Sequence, residues 1–312
     1  MPCSDFMFVS SHDNTVVVGR TMDYWLNLNP HVVVVPPGRK YQSSSPIEEC
    51  DNKNNGLSWQ TIYGFVGIQP INMPTLENIV IDGMNEKGLA FAMLALNSEY
   101  PTITFDKKET ALEIGLFGAW ILGLHATVEE IKTNIQKINI WSPNYKPFNA
   151  KLEMHFAVHD ANGKNLVIEF TNGGVQIFDN EIGVLTNDPV FPKQLAHLAE
   201  YQSSIDLEQF NINGFDIINS SISRFIKLAT IINLIKKSEN KKSTNKISAV
   251  VTAFHILNTI DIPIGTSITY KLGKVYDNYT QWSTVKDLTN KIYYWRSYDD
   301  LKINQIVLRK YI

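Results

Sequence analysis

The order of apolar and polar positions divides the chain into a β-rich first third, a helical middle and a return to β. Phe6 to Ser10 is a short apolar run, His12-Asp13-Asn14-Thr15 supplies turn chemistry, and Val16-Val17-Val18-Gly19 is the next run. That pattern predicts a hairpin. His31 to Val35 is β-branched and is ended by Pro36-Pro37-Gly38, which predicts a second strand region. Tyr41 to Ser58, rich in Ser, Asn and Asp, reads as surface loop. Tyr63 to Ile68 reads as a buried strand, and Leu89 to Leu96 fits strand or helix, since a short apolar run has no decisive period.

Helical spacing runs from Lys108 to Gly123, and Thr127-Val128-Glu129-Glu130 resembles a helix start leading into Ile131 to Ile138. Leu152 to Val158, the turn Asp160-Ala161-Asn162-Gly163 and Asn165 to Phe170 predict another hairpin, which Val175 to Phe178 and Ile182 to Thr186 continue. Ser221 to Lys236 and Ser248 to Asn258 are amphipathic helices. Lys236 to Lys246 reads as a solvated loop between them, because it has no aromatic to stack on a base. Tyr276 to Leu288 and Lys291 to Tyr298 close the chain as strands. With no repeat and no Pro- or Gly-rich linker, residues 1–312 read as a single α+β domain with large antiparallel sheets.

Composition narrows the function. Hydrophobic residues make up 44% and charged residues 19% of the 312, so the chain can fold around a core. With 28 Lys and Arg against 31 Asp and Glu, no nucleic-acid partner is expected. The longest apolar stretches fall short of the roughly 20 residues of a membrane helix, so no membrane span is expected. Met1 to Asp5 carries no basic region or long apolar core, which predicts a cytoplasmic protein; a periplasmic or secreted one is the alternative if a signal segment once came first. Cys3 and Cys50 are the only cysteines, too few for a disulfide framework or a multi-cysteine metal site. His155 and His159 are four apart on an alternating segment without a metalloprotease Glu, and read as ordinary strand histidines. Gly-x-Ser-x-Gly, phosphate-loop and dinucleotide motifs are missing.

Cys3 is then the candidate nucleophile. It reads either as a frayed terminal residue or, if Met1 and Pro2 are removed, as a residue owning both a thiol and a free α-amine. An α-amine titrates near about 7.7–8.0 and can act as base for its own side chain. Through the hairpin, Val18-Gly19-Arg20-Thr21-Met22-Asp23 returns a guanidinium, which favours a thiolate, and a carboxylate that can orient the amine. The same two residues also fit a surface ion pair of little consequence.

Cys3 with Gly19-Arg20-Thr21-Met22-Asp23-Tyr24 resembles the start of the penicillin V acylase and conjugated bile acid hydrolase (choloylglycine hydrolase) family of N-terminal nucleophile hydrolases. The resemblance continues, in order, through Asp82-Gly83-Met84-Asn85-Glu86-Lys87-Gly88-Leu89, Ile182-Gly183-Val184-Leu185-Thr186-Asn187-Asp188-Pro189, Ser223-Arg224-Phe225 and Asn278-Tyr279-Thr280-Gln281-Trp282-Ser283. It implies an αββα sandwich, cleavage of linear amide C–N bonds through an acyl-thioester, ordinary removal of Met1 followed by cutting of the Pro2–Cys3 bond by the Cys3 thiol, no metal or organic cofactor, and a homo-oligomer. It implies that Cys3 is nucleophile and base, that Arg20 and Asp23 tune and orient it, that Asn187 gives its side-chain NH2 to the oxyanion, and that Arg224 holds the polar network. Ala95 stands where the family usually carries Tyr or Asn; its backbone N–H serves the oxyanion equally, but the side chain that often separates penicillin V acylases from bile salt hydrolases is gone. Expected substrates are small N-acyl compounds: phenoxyacetyl penicillin, a conjugated bile acid or an acyl homoserine lactone. Tyr24, Trp25, Trp59, Tyr63 and Phe65 fit either an acyl pocket or the core. A non-enzymatic binding protein with Pro2 retained is the alternative.

Overall fold

Two antiparallel sheets carry most of the strands. The computed structural model describes residues 3–46, 55–70, 76, 78–146, 150–171, 173–204, 220–240, 247–271 and 273–311. The strands of the two large sheets are β1 (Cys3–Val9), β2 (Val16–Tyr24), β3 (Pro30–Val35), β4 (Phe65–Pro70), β5 (Asp82–Asn85), β6 (Ala90–Ala95), β7 (Met154–His159), β8 (Asn165–Thr171), β9 (Gly174–Asp179), β10 (Val184–Leu185), β11 (Tyr279–Asp287), β12 (Ile292–Ser297) and β13 (Asn304–Val307). One sheet has the order β10-β1-β2-β11-β12-β13 and the other β9-β8-β7-β6-β5-β4-β3.

The helices are α1 (Phe117–Leu124), α2 (Val128–Asn134), α3 (Phe191–Ser204), α4 (Ser221–Asn240) and α5 (Ala249–Asn258). Helices α4 and α5 pack on β1, α5 also on β2 and β11, and α3 on α4, while α1 packs on β5 and β6 of the other sheet. The layers are therefore helix, sheet, sheet, helix, the sandwich that the resemblance implies. Covered on both faces, β2 is buried at all nine positions, Arg20, Thr21 and Asp23 included, so polar and apolar residues do not alternate along it.

Several expectations are corrected. Lys40–Gln42 and Ser58–Gln60 pair as short strands at the two ends of the stretch read as loop, held by Tyr41 stacked on Trp59 at 5.1 Å; Cys50 lies outside the described residues. The first half of the helix expected over Lys108 to Gly123 is instead a 3-10 turn and the strand Ala111–Glu113, which pairs with Asn139–Trp141. Val184–Leu185 leaves the second hairpin, turned by Gly183 at φ +72°, and joins β1 in the other sheet. Helix α4 runs through Lys236 to Asn240, where Glu239 accepts from the backbone N–H and hydroxyl of Ser11, both at 2.9 Å; residues 241–246 lie outside the description. Helix α3 carried no sequence signal because it buries few side chains, Phe191, Gln194 and Leu198. Leu89 to Leu96 resolves as strand, β6. No helix of the described residues is long and apolar enough to cross a membrane.

Candidate active site

Cys3 opens β1 opposite Met22 of β2, and Asp5 lies opposite Arg20. Side chains alternate across a strand, so Cys3, Asp5, Arg20 and Met22 face the second sheet, while Ser4, Thr21 and Asp23 face the helices. Cys3 is 2% exposed, which removes the reading of a frayed terminus.

The backbone of Cys3 is held at both ends. Its N–H donates to Asn187 Oδ1, and its carbonyl accepts from Arg224 Nη1 at 2.5 Å. The same guanidinium reaches the Ser4 hydroxyl at 2.5 Å and Asn187 Oδ1 at 3.2 Å. Arg224 sits in the first turn of α4 and is buried. Burial lowers its pKa while the charges of Asp23 and Cys3 oppose that.

Asn187 follows β10 and is fixed on every polar group. Its N–H donates to Ser221 Oγ at 2.8 Å, its carbonyl accepts from Gln194 Nε2 at 2.6 Å, and its Nδ2 donates to the Ala95 carbonyl at 3.0 Å. Ala95 is the last residue of β6. Leu96 N–H donates to Glu153, so strand alternation turns the Ala95 N–H to the β5 side, past the last paired residue there, Ala92 opposite Asp82. The N–H of Ala95 and the NH2 of Asn187 thus come to the same end of the layer between the sheets.

Arg20 and Asp23 are not a surface pair. Both are fully buried, on opposite faces of β2. Arg20 donates to the carbonyls of Ile81 and Met93, lies 3.5 Å from Asp82 and covers the Trp282 ring at 5.1 Å. It meets the cysteine through a shared atom: Met22 Sδ is 3.7 Å from Arg20 Nη2 and 3.7 Å from Cys3 Sγ. Asp23 accepts from Thr280 Oγ1 at 2.5 Å and Thr21 Oγ1 at 3.2 Å. Burial pushes it up to about 6, against the pull of Arg224 and the two hydroxyls. Thr280 meets Asp23 because β11 has a bulge between Thr280 and Trp282. The extra residue, Gln281, donates to the carbonyls of Tyr24 and Leu26 at 3.1 and 2.7 Å, tying down the chain beyond the site.

Met22 and Thr280 lie inside the sequence motifs, but residue type alone assigns them no task, and Ser4, Gln194 and Ser221 belong to no motif that would reveal theirs. Of the expected aromatics, Phe65 is core, Trp59 stacks on Tyr41, and Tyr24 is buried with its hydroxyl pushed up to about 12, by burial first and then by the charge of nearby Cys3. Trp25 joins Tyr24 to Tyr276 at ring separations of 5.5 and 4.5 Å. A cavity of about 550 Å³ is lined by Asn97, Glu169, Phe178 and Lys193 among others; Cys3 is not part of its wall.

Cys3 thus lies beside the Asn187 side chain, whose NH2 reaches Ala95, and a thiol beside amide donors is an arrangement that suits acyl transfer. Comparison with known proteins agrees. The bile salt hydrolase/transferase of Lactiplantibacillus plantarum is 30% identical over 93% of this chain and 88% of its own. The penicillin V acylase of Pectobacterium atrosepticum is 24% identical over 99% and 82%. A crystal structure of a variant of conjugated bile acid hydrolase from Clostridium perfringens superposes with a TM-score of 0.82 at 25% identity, covering 99% of this chain and 94% of that one. Residues 3–311 match the family described as linear amide C–N hydrolases, choloylglycine hydrolase family, and the chain belongs to that family.

Proposed function

We propose that Cys3, once it is the first residue, is the nucleophile of this amide hydrolase and that its own α-amine is the base. The Sγ proton passes to the amine as sulfur bonds to the acyl carbon. The carbonyl oxygen takes up the negative charge, between the NH2 of Asn187 and the N–H of Ala95. Collapse breaks the C–N bond, and the ammonium returns the proton to the leaving amine. Water then attacks the thioester, gives its proton to the α-amine, and releases the acid and the thiol. One Nδ2 hydrogen of Asn187 is spent on the Ala95 carbonyl, so the second serves the oxyanion. Asp23 orients the amine from the helix side, and Arg224 keeps the Cys3 carbonyl from swinging. Arg20 acts through Met22, which it holds against the thiol.

The observation that carries this reading is the double anchorage of the Cys3 backbone by Asn187 and Arg224. The substrates that fit are N-acyl amides with an apolar or aromatic acyl part. The short Ala95 side chain leaves the room that Tyr or Asn fills elsewhere in the family. Hydrolysis rates on phenoxymethylpenicillin, a glycine-conjugated bile acid and an acyl homoserine lactone rank the acyl and amine groups. A Cys3→Ala protein that still hydrolyses the preferred amide refutes the mechanism.

A further inference from the structure

Among the buried acid–base pairs that the reaction does not use, one lies next to Asn187. His155 of β7 and Glu169 of β8 are neighbours across the strand pair, on the face toward the other sheet, and both side chains are fully buried or nearly so. His155 Nε2 is 2.7 Å from the Thr186 carbonyl, and His155 Nδ1 is 3.1 Å from Glu169 Oε1. Glu169 Oε1 also accepts the N–H of Phe191 at 2.8 Å.

The hydrogen-bond inventory fixes the protons. A carbonyl only accepts, so Nε2 carries a hydrogen. A neutral ring would then turn the bare Nδ1 lone pair on a carboxylate oxygen, an unfavourable contact in a low-dielectric interior. One further proton must lie between the two groups, on the ring or on the carboxyl, and either placement leaves the pair with no net charge.

The bond to Thr186 crosses between the layers at a critical place. Asn187, the next residue, belongs to the segment leaving β10 in the first sheet, whereas Ala95 ends β6 in the second. His155 stands opposite Leu94 on that second sheet, one residue before Ala95. We infer that His155 and Glu169 share a proton and, through the Thr186 carbonyl, set the spacing between Asn187 and Ala95, which makes His155 a positioning residue for amide hydrolysis. The inference rests on the reading of Asn187 and Ala95 as the oxyanion donors.

The test uses protein shown by intact mass to begin at Cys3, and the best turned-over of the three amides named above. His155→Leu removes the donor to Thr186, while His155→Gln keeps an N–H near the same place. A misplacement on the order of 1 Å costs roughly a hundredfold in rate, so H155L should lose about ten- to a hundredfold in kcat with KM unchanged, and H155Q should recover most of it. Both contacts of Glu169 fall on Oε1, so Glu169→Gln keeps one of them, its NH2 donating to Nδ1 or its oxygen accepting from Phe191, and it should retain more kcat than Glu169→Leu, which keeps neither. Equal kcat in H155L and H155Q overturns the inference. If H155L does not fold, equal kcat in E169Q and E169L overturns it alone. Asn187→Leu separates the two levels. Full activity in N187L refutes the oxyanion reading, whereas loss in N187L with unchanged H155L refutes only the positioning role.

Discussion

Arg224 Nη1 donates to the carbonyl oxygen of Cys3 at 2.5 Å across 221 residues of chain. A planar fork is required there, since the same guanidinium also reaches Ser4 and Asn187. Lysine keeps the charge but cannot hold three oxygens in one plane. Arg224→Lys should therefore fold, release the Cys3 carbonyl and lose roughly ten- to a hundredfold in kcat. Steady-state kinetics beside a urea unfolding curve checks it.

Asp23 makes stability depend on pH. Its ordinary value is 3.8, and burial raises it to about 6. The folded chain binds this proton more tightly than the unfolded chain. The stability gained is complete below about pH 3.8 and is lost as pH rises through about 6, a difference of about 3 kcal/mol. Asp23→Asn, which cannot ionise, should flatten that part of the curve. Urea unfolding from pH 4 to 7 in the Cys3→Ala background, where the chain cannot process itself, measures it.

Asp82 neutralises a buried network. It accepts from Lys286 and from Tyr293 Oη at 2.5 Å, and Arg20 Nη1 lies 3.5 Å away. Asp82→Asn takes the nearest anion from two buried cations, and Asp5 at 3.9 Å from Lys286 replaces it poorly, so a loss of about 3–5 kcal/mol is expected. Because every charge is fully buried, raising salt to 1 M should not change that loss. Unfolding curves at two ionic strengths decide it.

Gly19 faces Phe6 across the hairpin. A Cβ built there would sit 2.4 Å from Phe6 Cζ, against the edge of a fully buried ring. Gly19→Ala should cost about 1–3 kcal/mol. The double variant with Phe6→Leu should recover part of it, measured as a coupling energy in a double-mutant cycle.

The sequence made the strands around the site readable, because β1, β2, β7 and β8 are bounded by turn residues such as His12 to Thr15 and Asp160 to Gly163. It also made the chemical residues readable, because they lie in ordered blocks. It hid what depends on the third dimension. Arg20 and Asp23 are three residues apart but face opposite layers, and Asp82 rather than Asp23 is the partner of Arg20. Ser221 and Gln194 have no pattern that reveals their hold on Asn187. His155 read as an ordinary strand histidine, yet its ring meets Glu169 and the peptide ahead of Asn187. Helix α3 was invisible because two apolar side chains and one Gln make its buried face.

The central claim is that Cys3 becomes the first residue and then carries the acyl group. Mass spectrometry of acid-quenched turnover on phenoxymethylpenicillin, or on whichever amide is hydrolysed fastest, reads both facts at once. The expected result is a protein lacking Met1-Pro2, with the acyl mass on the peptide that begins at Cys3. Turnover by protein that keeps Met1-Pro2, or an acyl group on any other residue, would contradict the account.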